Sequence, residues 1–195
     1  SGVCPAMNSL SFATTVASTV TGGSISGATT VCTGSNSTNL TVSGFTTGTN
    51  LQWQQSSDNS SWSNISNATA ATYTVTNISN VMYYRVLVTN TACSAYSSTA
   101  TMLISQPSVG GKLAGASTVC SGTNRDTLTI SNYTGTLQWQ SSTNPATTAF
   151  TNLTGSTAAT YNPSNLSTTT YYRVAVTNGA CPVAYSDTTA TQVSP

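Results

Sequence analysis

Tyr83-Tyr84-Arg85-Val86-Leu87-Val88-Thr89-Asn90, followed by Cys93, decides the fold. The stretch returns as Tyr171-Tyr172-Arg173-Val174-Ala175-Val176-Thr177-Asn178, followed by Cys181. In an extended chain successive side chains face opposite sides, so Tyr84, Val86 and Val88 share one face and Tyr83, Arg85, Leu87 and Thr89 the other. An aromatic and β-branched face of this kind packs against a core. The second copy keeps the inward set, Tyr172, Val174 and Val176, and changes only the outward Leu87, to Ala175. One packed face and one open face predict this substitution pattern.

Working outward, the repetition extends over most of the chain. Gly22-Gly23-Ser24-Ile25-Ser26-Gly27-Ala28-Thr29-Thr30-Val31-Cys32 aligns with Gly110-Gly111-Lys112-Leu113-Ala114-Gly115-Ala116-Ser117-Thr118-Val119-Cys120, at an offset of 88 residues. Phe45 and Tyr133, Trp62 and Phe150, Tyr73 and Tyr161, Arg85 and Arg173, and Cys93 and Cys181 keep that offset. Leu51-Gln52-Trp53-Gln54 and Leu137-Gln138-Trp139-Gln140 are offset by 86. Length changes belong in loops, which places a turn on either side of this strand.

Each repeat reads as about seven short strands between Gly-, Asn- and Ser-rich turns, the spacing of a β-sandwich. In the first repeat they fall near Ser24–Ile25, Leu40–Ser43, Leu51–Gln55, Trp62–Ile65, Thr72–Thr76, Met82–Thr89 and Thr99–Ile104. The expected fold is all-β, with two tandem immunoglobulin-like sandwiches over residues 22–106 and 107–195. Leu40, Val42, Leu51, Trp53, Tyr73 and Val75 are the expected core of the first, with Leu128, Ile130, Leu137, Trp139, Tyr161, Val174 and Val176 in the second.

Residues 1–21 do not begin a repeat. Gly2-Val3-Cys4-Pro5 matches Gly179-Ala180-Cys181-Pro182, so the segment reads as the last strand of a preceding repeat plus a linker. The chain is then expected to be a window on a longer array. No charged-then-apolar leader opens it, which fits a mature chain or one cut from the interior of something longer. The linker at Ser105–Gly111, with Pro107, is short and extended.

Composition removes several function classes. Charged residues make up 4% of the chain, with no His and no Glu, while Ser and Thr exceed a third of it. The four cations, Arg85, Lys112, Arg125 and Arg173, cannot form the basic patch that nucleic acid requires. No apolar run approaches the roughly 20 residues of a membrane span. The three carboxylates, Asp58, Asp126 and Asp187, fall in different parts of their repeats and suggest no acid–base pair. A non-enzyme without metal or cofactor is expected, since zinc sites use closely spaced Cys and His and calcium sites clustered oxygens.

The cysteines follow the repeat. Cys32 and Cys93 recur as Cys120 and Cys181, so each pair is expected to close within its own repeat, leaving Cys4 unpaired within this chain. A loop of about 60 residues closed in this way stabilises by roughly 4 kcal/mol in chain-entropy models. Structural disulfides point to an oxidising, extracellular setting. Because Cys32 precedes its strand and Cys93 follows the Tyr-Tyr-Arg strand, the bridge is expected near one end of the sandwich. Trp53 and Trp139 would then pack without the cross-core cystine of antibody domains.

Four residues are candidate ligand contacts. Arg85 and Arg173 are the repeated charges, expected to lie over a neighbouring aromatic ring or cap carbonyls unless they face a ligand. Trp62 and Phe150 sit beside loops of different length, where an aromatic ring either covers the sheet edge or stacks on a sugar. Asp126-Thr127-Leu128 and Asp187-Thr188-Thr189 resemble the Asp-Ser/Thr-apolar O-glycosylation motif of Bacteroidota, which would make Thr127 and Thr188 modification sites.

Together, Gly22-Gly23-Ser24-Ile25-Ser26-Gly27, Val31-Cys32-Thr33-Gly34, Leu51-Gln52-Trp53-Gln54, Tyr83-Tyr84-Arg85-Val86 and Asn90-Thr91-Ala92-Cys93-Ser94 resemble the tandem immunoglobulin-like repeats of Bacteroidota cell-surface proteins. Such repeats occur in large adhesins, including those of gliding motility exported by the type IX system, and in stalks. The resemblance implies a structural or adhesive segment of a long extracellular filament or adhesin, with neighbouring repeats as its partners. One alternative is a module that binds surface glycans through Trp62 and Phe150. Another is a filament subunit that joins other filament chains by strand exchange through residues 1–21.

Overall fold

Alternation along the Tyr-Tyr-Arg stretch is realised as a strand. The computed structural model describes residue 2 and residues 18–194. Over Met82–Thr89, Tyr84, Val86 and Val88 are buried and the residues between them half-buried.

The first repeat contains β1 (Ser24–Ser26), β2 (Thr30–Cys32), β3 (Ser37–Ser43), β4 (Asn50–Ser56), β5 (Ser63–Asn64), β6 (Thr72–Thr76), β7 (Met82–Thr89), β8 (Ser94–Tyr96) and β9 (Ala100–Ser105). The second contains β10 (Val109–Ala114), β11 (Thr118–Cys120), β12 (Leu128–Thr134), β13 (Thr136–Ser142), β14 (Thr151–Asn152), β15 (Thr160–Tyr161), β16 (Thr170–Thr177), β17 (Ala184–Tyr185) and β18 (Thr189–Ser194). Nine strands replace the expected seven. The additions in the first repeat, β2 and β8, are three residues each, too short to show a period in sequence.

Each repeat is a two-sheet sandwich. In the first, β1-β3-β6 forms a three-stranded sheet, and β2-β9-β7-β4-β5, with β8 also on β7, forms a six-stranded one. The second repeat reproduces this as β10-β12-β15 and β11-β18-β16-β13-β14, with β17 on β16. The opening segment therefore changes sheets: β1 runs antiparallel to β3, then β2 runs parallel to β9. Gly27 makes the change with φ of 93°, and a Cβ there would strike the Asn39 carbonyl oxygen. Glycine meets both demands.

β8 and β9 follow one another along the same edge of β7, with an interruption at Ser97. The backbone stays satisfied there. The Val86 N–H donates to Ser97 Oγ at 2.8 Å, and the Ser97 N–H donates to the Val86 carbonyl at 2.9 Å. Ser186 does the same for Val174. A hydroxyl standing in for a ladder group lets the strand kink without an orphaned donor.

The two cores follow the expected faces. Leu40, Val42, Leu51, Trp53 and Val75 are buried in the first, as are Leu128, Ile130, Leu137, Trp139, Val174 and Val176 in the second. Tyr73 and Tyr161 are half-buried, each between a Trp and a Tyr of the facing sheet. Trp53 to Tyr73 is 5.7 Å between ring centroids and Tyr73 to Tyr84 is 6.0 Å; the Trp139–Tyr161–Tyr172 distances are 5.5 and 5.6 Å. Such tilted stacks add to the burial itself. The Trp53 Nε1–H donates to the Ala70 carbonyl and that of Trp139 to the Ala158 carbonyl, both at 2.8 Å, which lets an indole be fully buried.

Of residues 1–21, Thr21 is tied to Thr46 through its backbone N–H and carbonyl, and Val20 packs on the core. The expected preceding strand and Cys4 lie outside the described residues.

Candidate functional site

The outer face of each six-stranded sheet carries the repeated arginine. Gln54 lies opposite Arg85 on β7 and Asn64 on β5, so the three side chains form a row across the sheet. The Arg85 Nε–H donates to Gln54 Oε1 at 2.8 Å, and Gln54 Nε2 donates to Asn64 Oδ1 at 2.8 Å. The guanidinium lies 4.2 Å from the Trp62 ring centroid and 3.8 Å from that of Tyr96. The second repeat has the same row: Arg173 Nε to Gln140 Oε1 at 2.7 Å, Gln140 Nε2 to Asn152 Oδ1 at 2.8 Å, with Phe150 at 4.3 Å and Tyr185 at 4.0 Å.

A guanidinium held between two rings is a surface clamp. In the first repeat it ties the β4–β5 connection and the end of β8 together over the sheet without a carboxylate partner. Trp62 and Phe150 each offer a ring face to this arginine, so that face is unavailable for stacking on a sugar. The four candidate contacts thus come together as two pairs, Trp62 with Arg85 and Phe150 with Arg173. Sequence reading missed Tyr96 and Tyr185, half exposed at 52% and 48%, which close the clamps. A tyrosine three residues after Cys93 and another four residues after Cys181 were the available signal.

The second feature is the junction. β9 ends at Ser105 and β10 begins at Val109, so few residues link the sandwiches. The loop after β16 grips this linker. The Asn178 N–H donates to Ser108 Oγ at 2.9 Å, Asn178 Nδ2 donates to the Gln106 carbonyl at 2.9 Å, and the Ala180 N–H donates to Ser105 Oγ at 3.1 Å. The Thr33 N–H donates to the Ser105 carbonyl at 3.0 Å from the other side.

Across this junction Cys32 is bonded to Cys181, with Cα atoms 4.6 Å apart and a sequence separation of 149. The expected Cys32–Cys93 and Cys120–Cys181 bridges are corrected. The reason is strand direction. β2 runs parallel to β9 and brings Cys32 level with Ser105, at the end facing the second repeat. β7 runs antiparallel to β9, so Cys93, beyond its last residue, lies at the opposite end. The eight residues of β7 alone span roughly 25 Å at about 3.3 Å each, and a disulfide needs Cα atoms within about 7 Å. Cys93 is half-buried and Cys120 exposed, and both are free thiols among the described residues. The expected bridge near one end of a single sandwich gives way to a bond that joins two sandwiches.

Thr127 and Thr188 are both exposed. The Thr127 hydroxyl donates to Asn162 Oδ1 at 3.0 Å. Beside it Asp126 is buried and Thr191 Oγ1 donates to it at 2.7 Å. Asp187 instead accepts the Leu113 N–H at 2.7 Å and lies 3.8 Å from Lys112 Nζ. No helix of the described residues is long and apolar enough to cross a membrane.

Solved structures share this architecture at low identity. The chain is similar to one in the mouse coronavirus receptor-binding domain complexed with its murine receptor (TM-score 0.58, 16% identity, 85% of this chain and 96% of that one). It is also similar to domains A168–A170 of titin (TM-score 0.55, 16% identity, 89% and 67%) and to murine CEACAM1b (TM-score 0.53, 13% identity, 85% and 96%). These likenesses establish tandem immunoglobulin-like sandwiches and nothing finer. No curated protein matches in sequence. One family model matches twice, over residues 21–106 and 109–195, and the chain therefore belongs, as two consecutive copies, to the family described as Domain of unknown function (DUF8696).

Proposed function

We propose that this chain is a structural and adhesive segment of a long extracellular repeat protein, a cell-surface filament or adhesin stalk, in which sandwiches are coupled stiffly end to end. The observation that carries this reading is the junction. Domains joined by a plain linker are expected to move relative to one another. Here Ser105–Ser108 is held from both sides by hydrogen bonds and crossed by the Cys32–Cys181 disulfide. A chain whose modules were meant to swing freely has no use for such a staple.

The disulfide favours an oxidising location. A surface poor in charge and rich in hydroxyls and amides suits a fibre solvated without strong electrostatic fields. The resemblance to Bacteroidota surface repeats refines the proposal toward gliding-motility or type IX-secreted adhesins, with neighbouring repeats of the same protein as the immediate partners. A non-catalytic role is part of the proposal. The glycan-binding reading is disfavoured because the candidate rings are engaged by Arg85 and Arg173.

Small-angle scattering with and without reductant tests the stiffness. Oxidised chain should give one extended two-body envelope, and reduction or Cys32→Ser should broaden the distribution of inter-domain distances. An oxidised sample already as broad as the reduced one would overturn the reading. Antibody labelling of intact source cells tests the location independently, and absence of surface signal in cells that make the protein would remove the extracellular assignment.

A further inference from the structure

The staple at the junction has two open halves elsewhere in the chain. By repeat, Cys120 is the counterpart of Cys32 and Cys93 the counterpart of Cys181. The correspondence extends to the surroundings. Cys32 stands level with Ser105 in parallel register, and Cys120 stands level with Ser194 in the same register. The Thr33 N–H donates to the Ser105 carbonyl, and the Ser121 N–H donates to the Ser194 carbonyl, both at 3.0 Å. Asn36 Nδ2 donates to the Cys32 carbonyl at 2.9 Å and to that of Ile78 at 2.8 Å; Asn124 Nδ2 donates to the Cys120 carbonyl at 2.8 Å and to that of Leu166 at 2.7 Å. Cys120 is thus presented at the far end of the second sandwich as Cys32 is at the end of the first.

The receiving half is repeated too. Asn178 Nδ2 donates to the Gln106 carbonyl beside Cys181, and Asn90 Nδ2 donates to the Ser18 carbonyl beside Cys93, at 3.3 Å. Gln106 and Ser18 are equivalent residues, one repeat apart. The serine contacts of the observed junction are not repeated, because Ala17 and Val20 stand where Ser105 and Ser108 would be.

We propose that Cys120 and Cys93 are inter-repeat disulfide sites: Cys120 takes the Cys181-type cysteine of a following repeat, and Cys93 the Cys32-type cysteine of a preceding one. This rests on reading the chain as a stretch of a longer array. Each bridge forms by thiol–disulfide exchange with an oxidant such as oxidised glutathione. One thiolate displaces a glutathione thiol, the second cysteine displaces the other, and two glutathione thiols leave with the two electrons.

The consequence is mechanical. Each bridge spans a sequence separation of 149, more than one 88-residue repeat, so consecutive bridges overlap. Tension then passes from bridge to bridge through the segment from a Cys93-type to the next Cys120-type cysteine, which is 27 residues long. At roughly 3.5 Å per residue that is about 95 Å of chain for every two repeats, however many sandwiches unfold. The array becomes a tether of fixed maximum length.

The test fuses one further copy of residues 107–195 in frame after the full chain, oxidises it with oxidised glutathione, alkylates free thiols and maps disulfides in a non-reducing digest. Cys120 should be found bonded to the added copy's counterpart of Cys181, with Cys32–Cys181 retained. Alkylation of Cys120 should fall by more than about tenfold relative to the unfused chain, as expected when a tethered partner acts at high effective concentration. In the fused chain, Cys120→Ser should abolish that cross-link and leave Cys32–Cys181 intact. Cys120 still alkylated in the fused chain, or bonded within its own repeat to Cys181, would overturn the proposal. Neither result bears on surface location, which the antibody labelling decides separately.

Discussion

The two repeats close the same end of the sandwich with different chemistry. In the first, Met82 on β7 faces Met102 on β9, and Ala100, Met102 and Ile78 join the buried cluster. In the second, Thr170 on β16 faces Thr191 on β18, and the buried Asp126 accepts hydrogen bonds from Thr191 Oγ1 at 2.7 Å, the Thr127 N–H at 2.9 Å and the Ser117 N–H at 3.1 Å. One backbone therefore tolerates either a hydrocarbon plug or a polar one. The polar plug works because it is fully paired; among the described residues no buried side-chain nitrogen or oxygen lacks a partner. A conserved shape with exchanged chemistry says that the strand frame, not this end of the core, is what the two copies hold in common.

What they share should cost the most to remove. Trp53→Ala and Trp139→Ala should each destabilise their own repeat by about 3–5 kcal/mol, measured by hydrogen exchange resolved over the two repeats. A cost below about 1 kcal/mol in either would mean that the two cores are not equivalent. Next comes the differing end. Met102→Ala should cost about 2–5 kcal/mol through the cavity it leaves, and Thr191→Ala about 1–3 kcal/mol because the buried carboxylate loses its hydroxyl donor. The reverse order would sink the contrast between plugs.

Acid should separate the repeats further. Burial pushes the Asp126 carboxyl up, but the hydrogen bonds from Thr191, Thr127 and Ser117 outweigh it and hold the group below its usual value. A depressed carboxylate contributes stability that is present above its unfolded pKa of about 3.9 and is lost as pH falls through the lower folded value. Repeat two should therefore lose exchange protection below about pH 4, and Asp126→Asn should flatten that dependence. Asp58 in repeat one is also held low, by the Ser61 and Ser60 N–H groups and the Ser56 hydroxyl, but it is fully exposed, where such pairing counts for little. In alkali the repeats should behave alike. Burial, reinforced by a neighbouring tyrosine, pushes Tyr84 and Tyr172 up to about 12, so both lose stability as pH rises from about 10.

The smallest effect belongs to the clamps. Arg85→Ala and Arg173→Ala should each cost about 0.5–1 kcal/mol. Lysine should rescue only partly, since it lacks the planar fork that stacks on two rings and keeps the bond to Gln54 or Gln140. Full rescue by lysine would show that charge alone matters there.

The strand faces, most of the core and the two-domain plan are legible in the sequence. The inward positions of the Tyr-Tyr-Arg strand are legible because side chains alternate along a strand, and a repeat displays which face must stay apolar. The clamp was half legible: Arg85 and Trp62 carried a signal, whereas Tyr96 sits on a three-residue strand with no period to read. Tertiary structure alone decided the disulfide. Recurrence of two cysteines per repeat is equally compatible with pairing inside a repeat and pairing between neighbours. The parallel run of β2 along β9 places Cys32 at the junction, and the opposite run of β7 places Cys93 at the far end. Which cysteines meet depends on strand direction, and one repeat's spacing does not encode it.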